Sequence, residues 1–85
     1  HNIAIVDDKY KYVDWNRINF KKYKLEERIE SALYKWDNVN QKFDEKNNLL
    51  NEPSNKKLVS NYQNLTNNII INNLNHLKKF PTELY

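Results

Sequence analysis

From residue 15 onward the apolar positions are Trp15, Ile18, Leu25, Ile29, Ala32, Leu33, Trp36, Val39, Phe43 and Leu50. Projected at the helical angle per residue, they fall within a sector of about 120°. That pattern predicts an amphipathic helix over 14–51, with the Asp14 carboxylate accepting from the first free amides as its cap. Unbroken, such a helix would run about 54 Å, several times the average length. The weak helix formers Asp37-Asn38-Val39-Asn40 offer a break near 37–40.

Pro53 disfavours helix at Glu52 and can itself open a new one, and Ser54 is a suitable cap. A second helix is predicted over 54–79. Its apolar residues run Leu58, Tyr62, Leu65, Ile69 and resume as Ile70, Leu74, Leu77, so the stripe steps by about 100° at Ile69-Ile70. Read as a strand, the same stretch would put Asn67, Ile69, Ile71 and Asn73 on one face, which leaves no apolar side. Pro81 is expected to close the element, with Lys78 and Lys79 near its negative end.

Ahead of residue 14, an apolar run (Ile3 to Val6) meets Asp7-Asp8 and then an alternating Lys9 to Val13. A hairpin around Asp7-Asp8-Lys9 fits this spacing, but no Gly marks the turn and a lone two-stranded hairpin is marginal in water. An arm or short element over 1–13, packed on the helices, is favoured. The expected fold is therefore all-α: a long helix with a shorter antiparallel one, or a three- or four-helix bundle if the first breaks, in one small helical domain spanning 1–85.

Composition narrows the chemistry. The 85 residues, 39% apolar and 13% aromatic, suffice for one modest core. Sixteen Asn and twelve Lys beside zero Gly fit an A/T-rich genome, so the Asn content is not read as a binding surface. Absence of Gly excludes the phosphate-cradling loops, the dinucleotide fingerprint and the nucleophile elbow, all of which need close backbone approach or positive φ. With no Cys there is no disulfide or thiol chemistry. His76 is the one internal histidine, and no Cys or second internal His could complete a zinc site with it. Glu26, Glu27 and Glu30 lack a companion His and read as partners of Lys22 and Lys24 on a helix surface. Asn64-Leu65-Thr66 matches the glycosylation pattern at a frequency that chance explains. No catalytic residue, metal or cofactor is predicted, and the chain does not read as an enzyme. It holds no apolar run near the roughly 18 residues of a membrane span and no signal peptide, and the compartment stays open. Starting at His1, it reads as a piece of a larger protein.

One segment concentrates charge. Residues 9–24 carry Lys9, Lys11, Arg17, Lys21, Lys22 and Lys24 against the single acid Asp14, while the whole chain is only +3. Five aromatics are interleaved. On the predicted long helix, Phe20, Tyr23 and Tyr34 lie opposite the main stripe, without an internal partner. The expected function is a helical, non-enzymatic protein–protein interaction module, a scaffold or adaptor domain, presenting Phe20, Tyr23, Tyr34, Lys21, Lys22 and Lys24 to a protein partner. The alternative is nucleic-acid binding through Lys9, Lys11, Arg17, Lys21, Lys22 and Lys24. Stripes that do not close internally also admit a homodimer.

Overall fold

The computed structural model describes residues 1–80, and it overturns the all-α expectation. The chain forms a four-stranded antiparallel sheet, curled into half a barrel, with one helix laid against it. Strands β1 (Asn2–Val6), β2 (Tyr10–Asn19), β3 (Lys24–Asp37) and β4 (Lys42–Phe43) follow one another in space as in sequence. A 3-10 turn (Pro53–Asn55) leads into α1 (Lys56–Lys79). Residues 14–51 are thus strand, turn and loop, and no helical bundle exists. The expected arm over 1–13 is a hairpin with the start of β2. The expected closure at Pro81 lies outside the described residues; the last described helical-type bond is from Phe80 N–H to the His76 carbonyl, 2.9 Å.

Each hairpin turn opens on a side chain that accepts backbone amides two or three residues ahead, an arrangement Asp and Asn are suited to. Asp7 Oδ1 accepts from Lys9 (2.9 Å) and Tyr10 (2.7 Å). Asn19 Oδ1 accepts from Lys22 (3.1 Å). Asp37 Oδ1 accepts from Val39 (2.9 Å) and Asn40 (3.2 Å). The weak stretch at 37–40 is therefore a strand-to-strand turn. In a chain without Gly, the left-handed positions that close two of these turns fall to Tyr23 (φ 52°) and Gln41 (φ 54°).

Two irregularities in the β2–β3 ladder decide which side chains meet the helix. Trp15 pairs with Glu30, yet Asn16 pairs with Arg28, so Ile29 is an extra residue. Arg17 pairs with Glu27 and Ile18 with Leu25, so Glu26 is a second. Because opposed residues share a face, the helix-facing series on β3 is Leu25, Arg28, Ser31, Leu33. Its spacing of three, three and two resembles a helix more than the period of two that marks a strand. On β2 the helix-facing residues are Tyr12, Asp14, Asn16 and Ile18, two of them polar and buried.

The helix buries Val59, Tyr62, Thr66, Ile70 and Leu74, one continuous stripe. The phase step expected at Ile69-Ile70 is absent: Ile70 is buried, while Leu65, Ile69 and Ile71 are 50%, 42% and 46% exposed. Tyr62 stacks on Tyr12 with ring centroids 5.4 Å apart and planes 7° from parallel. Together with Leu33 and Val59 they form the core, against which Ile5, Tyr10, Leu49, Leu50 and Leu58 pack. No described helix is long and apolar enough to cross a membrane.

Candidate interaction surfaces

Three places gather chemistry, and the first is sealed. The Asp14 carboxylate, fully buried, receives four donors. Its Oδ2 accepts from the Thr66 hydroxyl (2.6 Å), the Tyr12 hydroxyl (2.9 Å) and Arg28 Nε (3.0 Å). Its Oδ1 accepts from Asn16 Nδ2 (2.7 Å). Burial pushes the carboxyl pKa up, but the donors from Thr66, Asn16, Arg28 and Tyr12 outweigh it and hold Asp14 below the ordinary carboxylate range. Burial first, then the Asp14 charge, pushes the Tyr12 hydroxyl up to about 12. Arg28 continues to the helix, where Nη2 donates to the Gln63 carbonyl (3.2 Å) and to Asn67 Oδ1. This network ties β2 and β3 to α1. With Asp14 and Thr66 wholly covered it has no face for a substrate, and its work is structural. Asp14 is thus no helix cap. The Asn16 Oδ1 is buried without a hydrogen-bond partner among the described residues.

The second place is the sheet face that α1 leaves uncovered. The register puts Ala4, Val13 and Ala32 in one row on this face, flanked by the row of Asn2, Trp15 and Glu30 and by the row of Val6, Lys11 and Tyr34. Trp36 continues it and meets Phe43 edge-on, centroids 5.1 Å apart at 77°. Val13 and Ala32 are only 9% and 4% exposed although no described helix or strand packs over them. A shallow groove runs between Trp15, Val13, Lys11 and Tyr34 and is closed at one side by Glu45. Its charges are matched: Lys11 pairs with Glu45 at 2.7 Å and Arg17 with Glu27 at 2.8 Å. Glu30 adds a further acid beside Trp15.

The third is the β2–β3 hairpin tip at 20–23 and its flank. Phe20, Lys21, Lys22, Tyr23 and Lys24 come together there, with Phe20 39% exposed and Tyr23 half-buried. None of the three lysines enters an ion pair among the described residues. Phe20 also lines an apolar pocket with Ile18, Ile70, Leu74 and Leu77 at the C-terminal end of α1.

Five of the six residues expected to meet a protein partner therefore share the hairpin tip, while Tyr34 stands near the other end of the sheet, opposite Lys11. The six cations expected to hold nucleic acid are dispersed. Lys9 sits in the β1–β2 turn, Lys11 and Arg17 are neutralised by Glu45 and Glu27, and ten strand residues, about 30 Å, separate Lys9 from the tip. The expected pairs of Lys22 and Lys24 with Glu26 and Glu27 do not form: Glu27 holds Arg17, and Glu26 accepts from Asn19 Nδ2 at 3.1 Å. Among the described residues no His, Cys, Asp and Glu group could hold a metal ion. Helical projection puts Trp15, Trp36 and Phe43 on a core stripe; they belong to the uncovered sheet face, which only the strand period identifies.

No protein-family model matches the chain, and no curated protein or solved structure is significantly similar to it.

Proposed function

We propose that this domain is a non-enzymatic protein-interaction module that engages its partner through the uncovered sheet face. The observation that carries this reading is the group of Trp15, Tyr34, Trp36 and Phe43 on a sheet face that no described element covers. Aromatic side chains offer large contact area at little entropic cost and dominate protein interfaces. The charge on that face favours a protein over a polyphosphate. Lys11 and Arg17 are matched by Glu45 and Glu27, and Glu30 offsets Lys24, which the register puts on the same face. The partner this face suits is a protein surface with apolar side chains for the groove and hydrogen-bonding groups for its charged rim. Trp15→Ala and Tyr34→Ala are expected to weaken capture of that protein from the native source by about tenfold or more, with circular dichroism unchanged. Unimpaired capture by both variants would refute the reading.

Nucleic-acid binding keeps one observation in its favour: Lys21, Lys22 and Lys24, beside Phe20 and Tyr23, enter no ion pair among the described residues. Three cations at a tip, rather than six along a surface, would give a shallow salt dependence. Titration of a mixed single-stranded oligonucleotide at roughly 50 mM salt separates the readings: tight binding lost in the triple Lys→Ala variant supports nucleic acid, and its absence supports the protein surface.

A further inference from the structure

The two edges of the sheet are built differently. Along β3 the outer edge is occupied by β4 and by the chain after it, where Asp44 N–H donates to the Lys35 carbonyl (2.9 Å) and Leu49 N–H to the Leu33 carbonyl (2.8 Å). The rest of that edge carries Lys24, Glu26, Glu27, Arg28 and Glu30, charges of the kind that discourage strand addition. Among the described residues the β1 edge has neither protection. Its sequence, Asn-Ile-Ala-Ile-Val, is uncharged and free of Pro.

The hydrogen bonds of β1 show which groups face out. His1 exchanges both bonds with Asn16 (2.8 and 3.1 Å), and Asp7 N–H donates to the Tyr10 carbonyl (3.0 Å). In an antiparallel pair the bonded residues alternate, so His1, Ile3, Ile5 and Asp7 bond inward to β2. The N–H and C=O groups of Asn2, Ala4 and Val6 consequently point away from the sheet. Beside them runs an apolar ledge. Arg28 on β3 reaches Gln63 and Asn67, and Tyr62 reaches Asp7 at 2.7 Å, so the flank of α1 bearing Leu65 and Ile69 overhangs β1. Leu65, Ile69 and Val6 are 50%, 42% and 58% exposed.

We propose that β1 pairs antiparallel with β1 of a second copy of this chain, joining two sheets into one across a twofold axis at Ala4. The strand is self-complementary in that register. Ala4 faces Ala4 as a bonded pair, Asn2 faces Val6 twice, and two bonds in each of these three pairs give about six hydrogen bonds. On the helix side Ile3 meets Ile5 of the other copy, and the Leu65–Ile69 ledges extend the apolar contact. His1 falls opposite Asp7, so the acidic end of each strand meets the non-acidic end of its mate. Parallel pairing would instead align Asp7-Asp8 with Asp7-Asp8. A twofold, isologous contact is also the commonest symmetry of soluble assemblies.

Sedimentation equilibrium across micromolar to submillimolar concentration is expected to show a monomer–dimer equilibrium. Ala4→Pro removes an outward N–H without touching a bond to β2, a change tolerated on edge strands, and Val6→Lys adds a charge at the same edge. Each is expected to weaken dimerisation at least about tenfold while leaving circular dichroism intact; should Ala4→Pro unfold, Val6→Lys decides. In a chain without native cysteine, Ala4→Cys reads the register: facing Cα atoms about 5.5 Å apart permit a disulfide. Its oxidative dimerisation is expected to be about tenfold faster than that of Lys57→Cys on the exposed helix surface. A monomer at every concentration, or a dimer indifferent to Val6→Lys and to the position of the cysteine, would overturn the proposal. Leu65→Lys, on the helix ledge and away from the uncovered sheet face, is expected to weaken the dimer as well, and its binding of the proposed partner distinguishes this result from failure of the sheet-face reading.

Discussion

Asp14 is the residue on which the fold turns. A carboxylate this deeply buried is costly unless donors surround it, and four do. Removing one partner of such a pair exposes the uncompensated cost, so Arg28→Ala is expected to lose about 3–5 kcal/mol in urea unfolding. That is a large part of the stability a domain of this size possesses. Replacing Asp14, Arg28 and Thr66 together by Leu, Met and Val is expected to cost far less than the sum of the single changes, because no charge is left stranded. The pH dependence follows from the same contacts. Asp14 is held below its unfolded value near 3.9, so its contribution is present at neutral pH and lost as pH falls below about 4. Tyr12 is raised to about 12, so the folded state favours its neutral form. Stability is then expected to fall as pH rises from about 10 toward 12. Thermal melts from pH 7 down to 2 should show a shallower acid decline for Asp14→Asn than for the native chain.

At the scale of elements, the two bulges and the Gly-free turns explain both the architecture and the failure of helical periodicity to foretell it. The extra residues Ile29 and Glu26 keep Arg28 and Leu25 on the helix side of β3. Deleting Ile29 would make this part of the ladder regular and leave Arg28 opposite Asn16 on the helix side. The deletion is therefore expected to cost less than Arg28→Ala in urea unfolding. Gln41 occupies a left-handed position at a penalty of about 1 kcal/mol. Gln41→Gly is therefore expected to change stability by no more than about 1 kcal/mol, with relief of strain opposed by greater unfolded-state freedom. Gln41→Val should destabilise, since a β-branched residue fits that region worse. The helix could be read from sequence, because Pro53 marks its start and its spacing of three and four extends over many turns. The strands could not. The β2 face toward the helix alternates Tyr12, Asp14, Asn16, Ile18, so buried polar residues erase the apolar signal. On β3 the bulges replace a period of two by one near three. The cue that was available is the series Asp7, Asn19 and Asp37, each opening a turn.

At the scale of the whole molecule, the one described α-helix covers one face of the sheet, and no described element covers the other. That arrangement gives the chain an aromatic surface, one charged edge and one apolar edge. The net charge of +3 is not gathered on a binding face: Lys11 and Arg17 are paired with Glu45 and Glu27, and Lys21, Lys22 and Lys24 at the hairpin tip enter no ion pair among the described residues. At this scale the expectation is that Trp15→Ala and Tyr34→Ala impair partner capture while Leu65→Lys impairs self-association, each leaving the other property intact. Pull-down and sedimentation on the same three variants would check the separation. The basic and aromatic residues of segment 9–24 were recognisable as unusual from the sequence. Their placement was not, because ten residues of strand span about 30 Å where ten residues of helix span about 15 Å.

The amino-acid sequence by itself determined the chemistry this chain lacks: without Gly or Cys it cannot build a phosphate loop or a thiol site. It also determined the C-terminal helix, whose register is local. Tertiary structure alone decided the sheet. Pairing β2 with β3 depends on contacts between residues distant along the chain, and on a carboxylate that becomes favourable in the interior only when Arg28, Thr66, Tyr12 and Asn16 converge on it.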